Sequence, residues 1–231
     1  MKNDILIVAR TRMKENRVCV GGIAINSDDS KDRESFDFLR SVRLYSSDGS
    51  TFTEDQNIRV GDVFNLEMSP DKDLTPPHVE DVIVTGGSRK NSISDGELID
   101  FLDEHDAEFY KQGRWGERKP DELLGSHIRA TSNGSGYIDD SNVPSVSTGF
   151  WVPDKDLEQH EDDDGKIRYY YPNRNHLGVQ RLPYVGMRTP PEIIPSGTIC
   201  RVSLARWWRS SDYDDSTPKR CYLQLSQVYS E

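Results

Sequence analysis

Short runs of alternating apolar and polar residues recur along almost the whole chain, each closed by glycine, proline, serine or aspartate. No other feature limits the fold as strongly, because a period of two puts successive side chains on opposite faces of a β-strand. Residues 5–9 form the first run, and Val18 and Val20 form a second that Gly21 and Gly22 end. From Phe36 onward, Phe36, Phe38, Val42 and Leu44 share a face, with Arg40 the polar intruder. After the turn-rich residues 46–50, Val60-Gly61-Asp62 leads into a strand on which Phe64, Leu66 and Met68 face together. Pro76-Pro77 is expected to open one more strand, with Val79 and Ile83 on one side and Val82 and Val84 on the other. About five strands in roughly 90 residues describe a small closed sheet.

Gly86-Gly87 and the polar residues 88–91 break the alternation. Ser94-Asp95-Gly96-Glu97 then matches the capping box, and Leu98, Ile99, Phe101 and Leu102 recur at helical spacing, which predicts a helix over 95–106. A shorter helical turn is expected from Pro120 to just before Gly125. The second half repeats the pattern of the first. Ile194-Pro195-Ser196-Gly197-Thr198 precedes a strand with Cys200, Val202 and Leu204 in alternation, and a last strand over 218–228 carries Cys221, Leu223 and Leu225. Only 34% of the 231 residues are hydrophobic, so two thin barrels suit the chain better than one thick layered core. The fold expected is mostly β: two small OB-like barrels (residues 1–91 and 127–231) joined by a short helical connector (92–126). An SH3-like barrel is the competing small barrel.

No apolar run approaches the roughly 18 residues of a membrane helix, and three cysteines imply no paired disulfide framework. The expectation is a soluble, cytoplasmic protein without a membrane partner. Net charge is −11, but it is unevenly spread. From Lys166 onward ten basic residues face five acids, a net of +5, which leaves −16 for residues 1–165. An acidic protein gains little long-range steering toward nucleic acid, yet a local positive face still binds it.

No catalytic set stands out. The five histidines are scattered without metal-ligand spacing, and Asp103-Glu104-His105-Asp106 on a helix points its neighbours in different directions. Residues 161–165 lack the alternating ligands and distal glutamate of a calcium loop and read as a polar hairpin turn. Ser132-Asn133-Gly134-Ser135-Gly136 has no following Gly-Lys-Ser/Thr and reads as a flexible turn, not a phosphate loop. Neither a cofactor nor a metal is expected.

The arginines and aromatics of the second half are more informative. If Val202 and Leu204 face the barrel interior, Arg201, Ser203, Ala205 and Trp207 lie on the opposite face, and Tyr222 and Gln224 do so on the last strand. Between the two strands runs a loop holding Trp208, Arg209, Tyr213, Lys219 and Arg220. A strand over 166–171 puts Arg168 and Tyr170 on one side. Cations for phosphates beside flat rings for bases are what a single-stranded nucleic acid needs. The residues expected to bind it are Arg168, Tyr170, Arg201, Arg206, Trp208, Arg209, Tyr213 and Lys219. Trp, Tyr and Arg are equally the residues of protein–protein hot spots, so an adaptor surface remains the alternative. Trp207 and Trp208 cannot both point the same way on a strand.

Arg201-Val202-Ser203-Leu204-Ala205-Arg206-Trp207-Trp208, with residues 194–198 before it, resembles the C-terminal signature of the dual OB-fold family of prokaryotic conflict systems. Pro76-Pro77-His78-Val79-Glu80-Asp81-Val82 resembles the motif of that family's first half. The resemblance implies a small bacterial protein of antiviral defence that binds nucleic acid or serves as a sensor subunit, with no catalytic residues to carry over. The −16 of residues 1–165 departs from a dedicated nucleic-acid binder. It suits a division of labour, the first barrel for a protein partner and the second for nucleic acid; in the alternative, an adaptor holds a partner such as an ATPase or nuclease with the same Arg/Trp surface.

Overall fold

The computed structural model describes residues 2–25, 39–105, 127–171, 181–211, 214 and 216–230. They fall into two compact units, one made of Met1–Leu74 with Glu80–Glu108, the other of Thr75–Val79 with Phe109–Ser230.

The first unit holds β1 (Lys2–Arg12), β2 (Arg17–Ile25), β3 (Leu39–Tyr45), β4 (Phe52–Thr53), β5 (Asp62–Pro70), β6 (Asp81–Ser92) and α1 (Asp95–Glu104). β1 pairs with both β2 and β5, so the circuit β1-β2-β3-β6-β5 closes on itself, with β4 added to the edge of β2. Every pairing is antiparallel except β3 with β6, which is parallel. That is the five-stranded Greek-key barrel of the OB-fold. Its core is the apolar run of β1, from Ile5 to Ala9, with Val18, Val20, Ile23, Val42 and Leu44. The run is buried on both faces of its strand, which explains why it does not alternate.

Two glycine pairs expected to end strands lie inside them. Gly21 and Gly22 continue β2 opposite Ala9 and Ile7. A Cβ on Gly22 would stand 2.6 Å from Ile5 Cγ2, so the bare backbone is what admits the neighbouring strand's side chain. Gly86 and Gly87 lie within β6, which runs on to Ser92 against β5 through two register shifts. Pro76 and Pro77 open no strand: they sit in a turn bounded by a Thr75–His78 bridge, and β6 begins only at Asp81. Proline lacks the N–H a ladder needs, so a turn is the better place for the pair. The expected capping box is present, with Ser94 and Glu97 each bonding the other's backbone, and Leu98 and Leu102 are buried. Phe36, Phe38 and the expected helical turn at 120–125 lie outside the described residues.

The second unit holds β7 (Arg129–Ala130), β8 (Gly136–Ile138), β9 (Thr148–Trp151), β10 (Leu157–Glu161), β11 (Ile167–Tyr170), β12 (Arg181–Pro183), β13 (Ile193–Ile194), β14 (Ile199–Leu204) and β15 (Cys221–Tyr229). β9 and β10 act as two halves of one bent strand, the first pairing with β14 and the second with β11. β11 pairs with β12, Tyr184 just beyond β12 bridges Leu225 of β15 in parallel, and β15 pairs with β14. The order is that of the first barrel, again with its third and fifth members parallel. Trp151, Leu157, Tyr169, Leu182, Cys200, Val202, Leu204, Cys221, Leu223 and Leu225 fill this core. Tyr169 donates its hydroxyl to Pro191 O and meets Tyr184 edge-on at 5.9 Å, and burial pushes that hydroxyl's pKa up. The three cysteines are free thiols.

Candidate nucleic-acid interface

The strand that lines the second core with Cys221, Leu223 and Leu225 turns Tyr222 outward, and the same alternation on β8 buries Ile138 and turns Tyr137 outward. Tyr137 and Tyr222 stand opposite each other in the antiparallel pair, with ring centroids 6.1 Å apart. Trp208 extends the row: it bridges Arg220, places its ring 6.2 Å from Tyr222, and remains 54% exposed. Arg220 lies over Tyr137, its guanidinium carbon 4.2 Å from the ring centroid, a cation–π arrangement. The three rings follow one another, tilted by 45° and 60° between neighbours, with a cation over Tyr137.

Beside this row Asp139 pairs with Arg129 at 2.7 Å. Hydrogen bonds from Ser141 hold its carboxyl below the usual range, and Arg129 and Arg220 add to the shift. The hairpin of β7 and β8 continues to β12, since Ser135 bridges Arg181. There a second group begins. Asp162, in the β10–β11 turn, takes Arg168 at 2.8 Å and Arg181 at 3.4 Å. The backbone N–H of Lys166 and the Arg168 guanidinium keep Asp162 ionised. Tyr170 meets His160 edge-on at 4.7 Å and is exposed. The polar turn expected at 161–165 is present one residue on, closed by Asp162 N–H to Lys166 O and Gly165 N–H to Asp162 O.

The seven described residues among the eight singled out from sequence do not form one patch. Trp208 is in the aromatic row, and the two tryptophans divide: Trp208 is exposed, while Trp207 packs against the core and donates Nε1–H to Pro76 O. Arg168 and Tyr170 share a strand face as expected, but Arg168 is committed to Asp162. Arg209 turns back to Thr217 O at 3.2 Å, whereas Arg206 and Lys219 are exposed. Arg201 is the correction. It is 4% exposed and donates to Ser226 Oγ at 3.2 Å, because β15 is buried on both faces from Leu225 to Tyr229. A register shift at Arg201/Val202 falls in the same stretch. Tyr213 lies outside the described residues. Tyr137, Tyr222 and Arg220 enter the site without having been selected. For Tyr222 the alternation of β15 was a sufficient signal. Tyr137 sits on a three-residue strand after a glycine-rich turn, too short for a period to register.

Asp162 offers a test of the second group. Replacing Asp162 with asparagine frees Arg168 and Arg181 without removing a cation, so an oligonucleotide crossing β11 and β12 should bind several-fold more tightly at low salt. Anisotropy titrations would register the gain, and equal affinities would take β11 and β12 out of the interface.

Among the described residues no group of three His, Cys, Asp or Glu side chains is arranged to hold a metal, and no helix is long and apolar enough to cross a membrane. No curated protein matches the chain. The two barrels of one strand order agree with the family comparison: the model of the dual OB-containing domain matches residues 3–228, and the chain belongs to that family.

Proposed function

We propose that this protein is a non-catalytic subunit that binds single-stranded or distorted nucleic acid through the second barrel, as an accessory or sensor component of a bacterial defence system. The observation that carries the binding is the row Trp208, Tyr222, Tyr137 with Arg220 over its last ring. The defence context rests on the family resemblance alone. Stacked bases contribute about 1–3 kcal/mol each, so Trp208→Ala and Tyr222→Ala should each weaken single-strand binding roughly 5- to 150-fold. Both positions are outward-facing, and unchanged circular dichroism would separate lost contacts from lost structure. Affinities within twofold of wild type for both variants would remove the row from the interface.

The alternative is an adaptor that docks an ATPase or nuclease with the same face. It draws support from Asp139 and Asp162, which neutralise Arg129, Arg168 and Arg181 and lower the positive charge a phosphate would meet. Ionic strength separates the two readings: phosphate contacts weaken steeply with salt, an apolar protein contact does not.

A further inference from the structure

The acidity of the first unit hides a basic hairpin. Residues 10–17 hold Arg10, Arg12, Lys14 and Arg17 against Glu15 alone. β1 and β2 are joined there by a tight turn with positive φ at Glu15 and Asn16, closed by Arg17 N–H to Lys14 O. Four other cations of this unit are matched by acids: Lys2 by Glu67, Arg43 by Glu80 and Asp81, Arg89 by Asp62, Lys90 by Asp4. Arg40, Arg59 and Lys72 stand singly along the chain, whereas the hairpin gathers four cations within eight residues. The side chains of Arg12, Lys14 and Arg17 bond to no described residue.

β4 lies along this hairpin, Thr53 opposite Arg17 and Phe52 opposite Val18, and Arg10 donates to Glu54 O at 3.2 Å. Phe52 in turn lines a cavity of about 330 Å³ with Ile58, Phe64, Leu66 and Val84. No charged side chain lines it, and Ser46, Ser47 and Thr85 supply hydroxyls. Sites for small organic groups begin at about this size.

We propose that the first barrel holds a second stretch of the same single strand, with phosphates on Arg12, Lys14 and Arg17 and one unpaired base in the adjoining cavity. The cations alone suit any polyanion, and the cavity alone suits any neutral apolar group. Together they match a polymer that carries an anion and a flat, uncharged ring in every unit. This rests on the nucleic-acid reading and extends it to the barrel whose overall charge argued against it.

The test uses the full chain and a labelled oligothymidylate, titrated at several salt concentrations. Each phosphate contact on a single strand adds about 0.7 to the slope of log K against log salt, so Arg12→Gln/Lys14→Gln/Arg17→Gln should flatten it by about 2. Affinity near 0.1 M salt should fall roughly tenfold to a hundredfold. Ser47→Trp, at an exposed position on the cavity's edge, should weaken binding and leave the slope unchanged. A triple variant that keeps the wild-type slope and affinity, while Trp208→Ala still weakens binding, overturns this inference and leaves the functional reading standing. A triple variant that falls beside an unaffected Ser47→Trp overturns the placement of the base. Absence of binding by the wild type brings down both.

Discussion

Arg43→Met is expected to cost the first barrel about 3–5 kcal/mol, because it leaves two buried carboxylates without their cation. Arg43 is 8% exposed and sits where the two parallel strands meet, with Nη2 at 3.1 Å from Glu80 Oε1 and Nε at 2.7 Å from Asp81 Oδ1. Its backbone N–H also donates to Glu80 O at 2.9 Å. Parallel pairing needs no hairpin, so these bonds help fix the register of Leu44 on Val82 that closes the barrel. Methionine fills much of the volume but neutralises neither acid. Adding Glu80→Gln and Asp81→Asn to the variant should recover part of the loss, since the buried charges are then gone from both sides. All the described tryptophans, Trp151, Trp207 and Trp208, fall in the second unit. Denaturation should therefore be followed by circular dichroism or amide exchange in β3 and β6 and not by indole fluorescence. A loss under about 1 kcal/mol would mean that water reaches this site and that the pairing does not close the barrel.

Gly87→Ala is expected to be nearly as damaging, at about 2–5 kcal/mol, through strain and overpacking together. Gly87 has φ +136°, and a Cβ there would stand 2.3 Å from Asn65 O and 2.9 Å from Leu66 Cα. Both clashing atoms are backbone of the paired strand β5, so no side chain can turn aside, and β5 and β6 must separate. Gly86 is a useful control, because its Cβ would meet only Glu67 Oε2 at 3.6 Å and its φ is ordinary. Gly86→Ala should change stability little, and equal losses for the two variants would show that the close approach at Gly87 is not the cause.

These two positions also mark where the sequence stopped being readable. Alternation located the strands of both barrels because inward positions are apolar at a period of two, as Cys200, Val202 and Leu204 show. Glycine misled twice, at 21–22 and at 86–87, because a turn and a close approach of two strands demand the same residue for different reasons. Arg43 and Arg201 were hidden for a related reason. Each occupies a register position opposite the core face that is nevertheless buried, and a local period carries no information about what covers the second face. The site was legible in kind more than in membership. Trp208 and the arginine-rich loop drew attention to the end of the second barrel where the aromatic row lies. The row itself depends on the pairing of Tyr137 with Tyr222, a contact between residues 85 positions apart. The basic hairpin of the first barrel does not show in the net charge of residues 1–165, where acids elsewhere outweigh four local cations.

The measurement that tests the account most directly is the affinity of the wild-type protein for labelled single-stranded DNA, single-stranded RNA and duplex DNA at about 50 and 200 mM salt. Exposed rings that take unpaired bases predict that a single strand binds more tightly than the duplex, and that its affinity drops as salt rises. No binding of any of the three at the lower salt would contradict the account, and the Trp208 face would then be a dock for a protein partner.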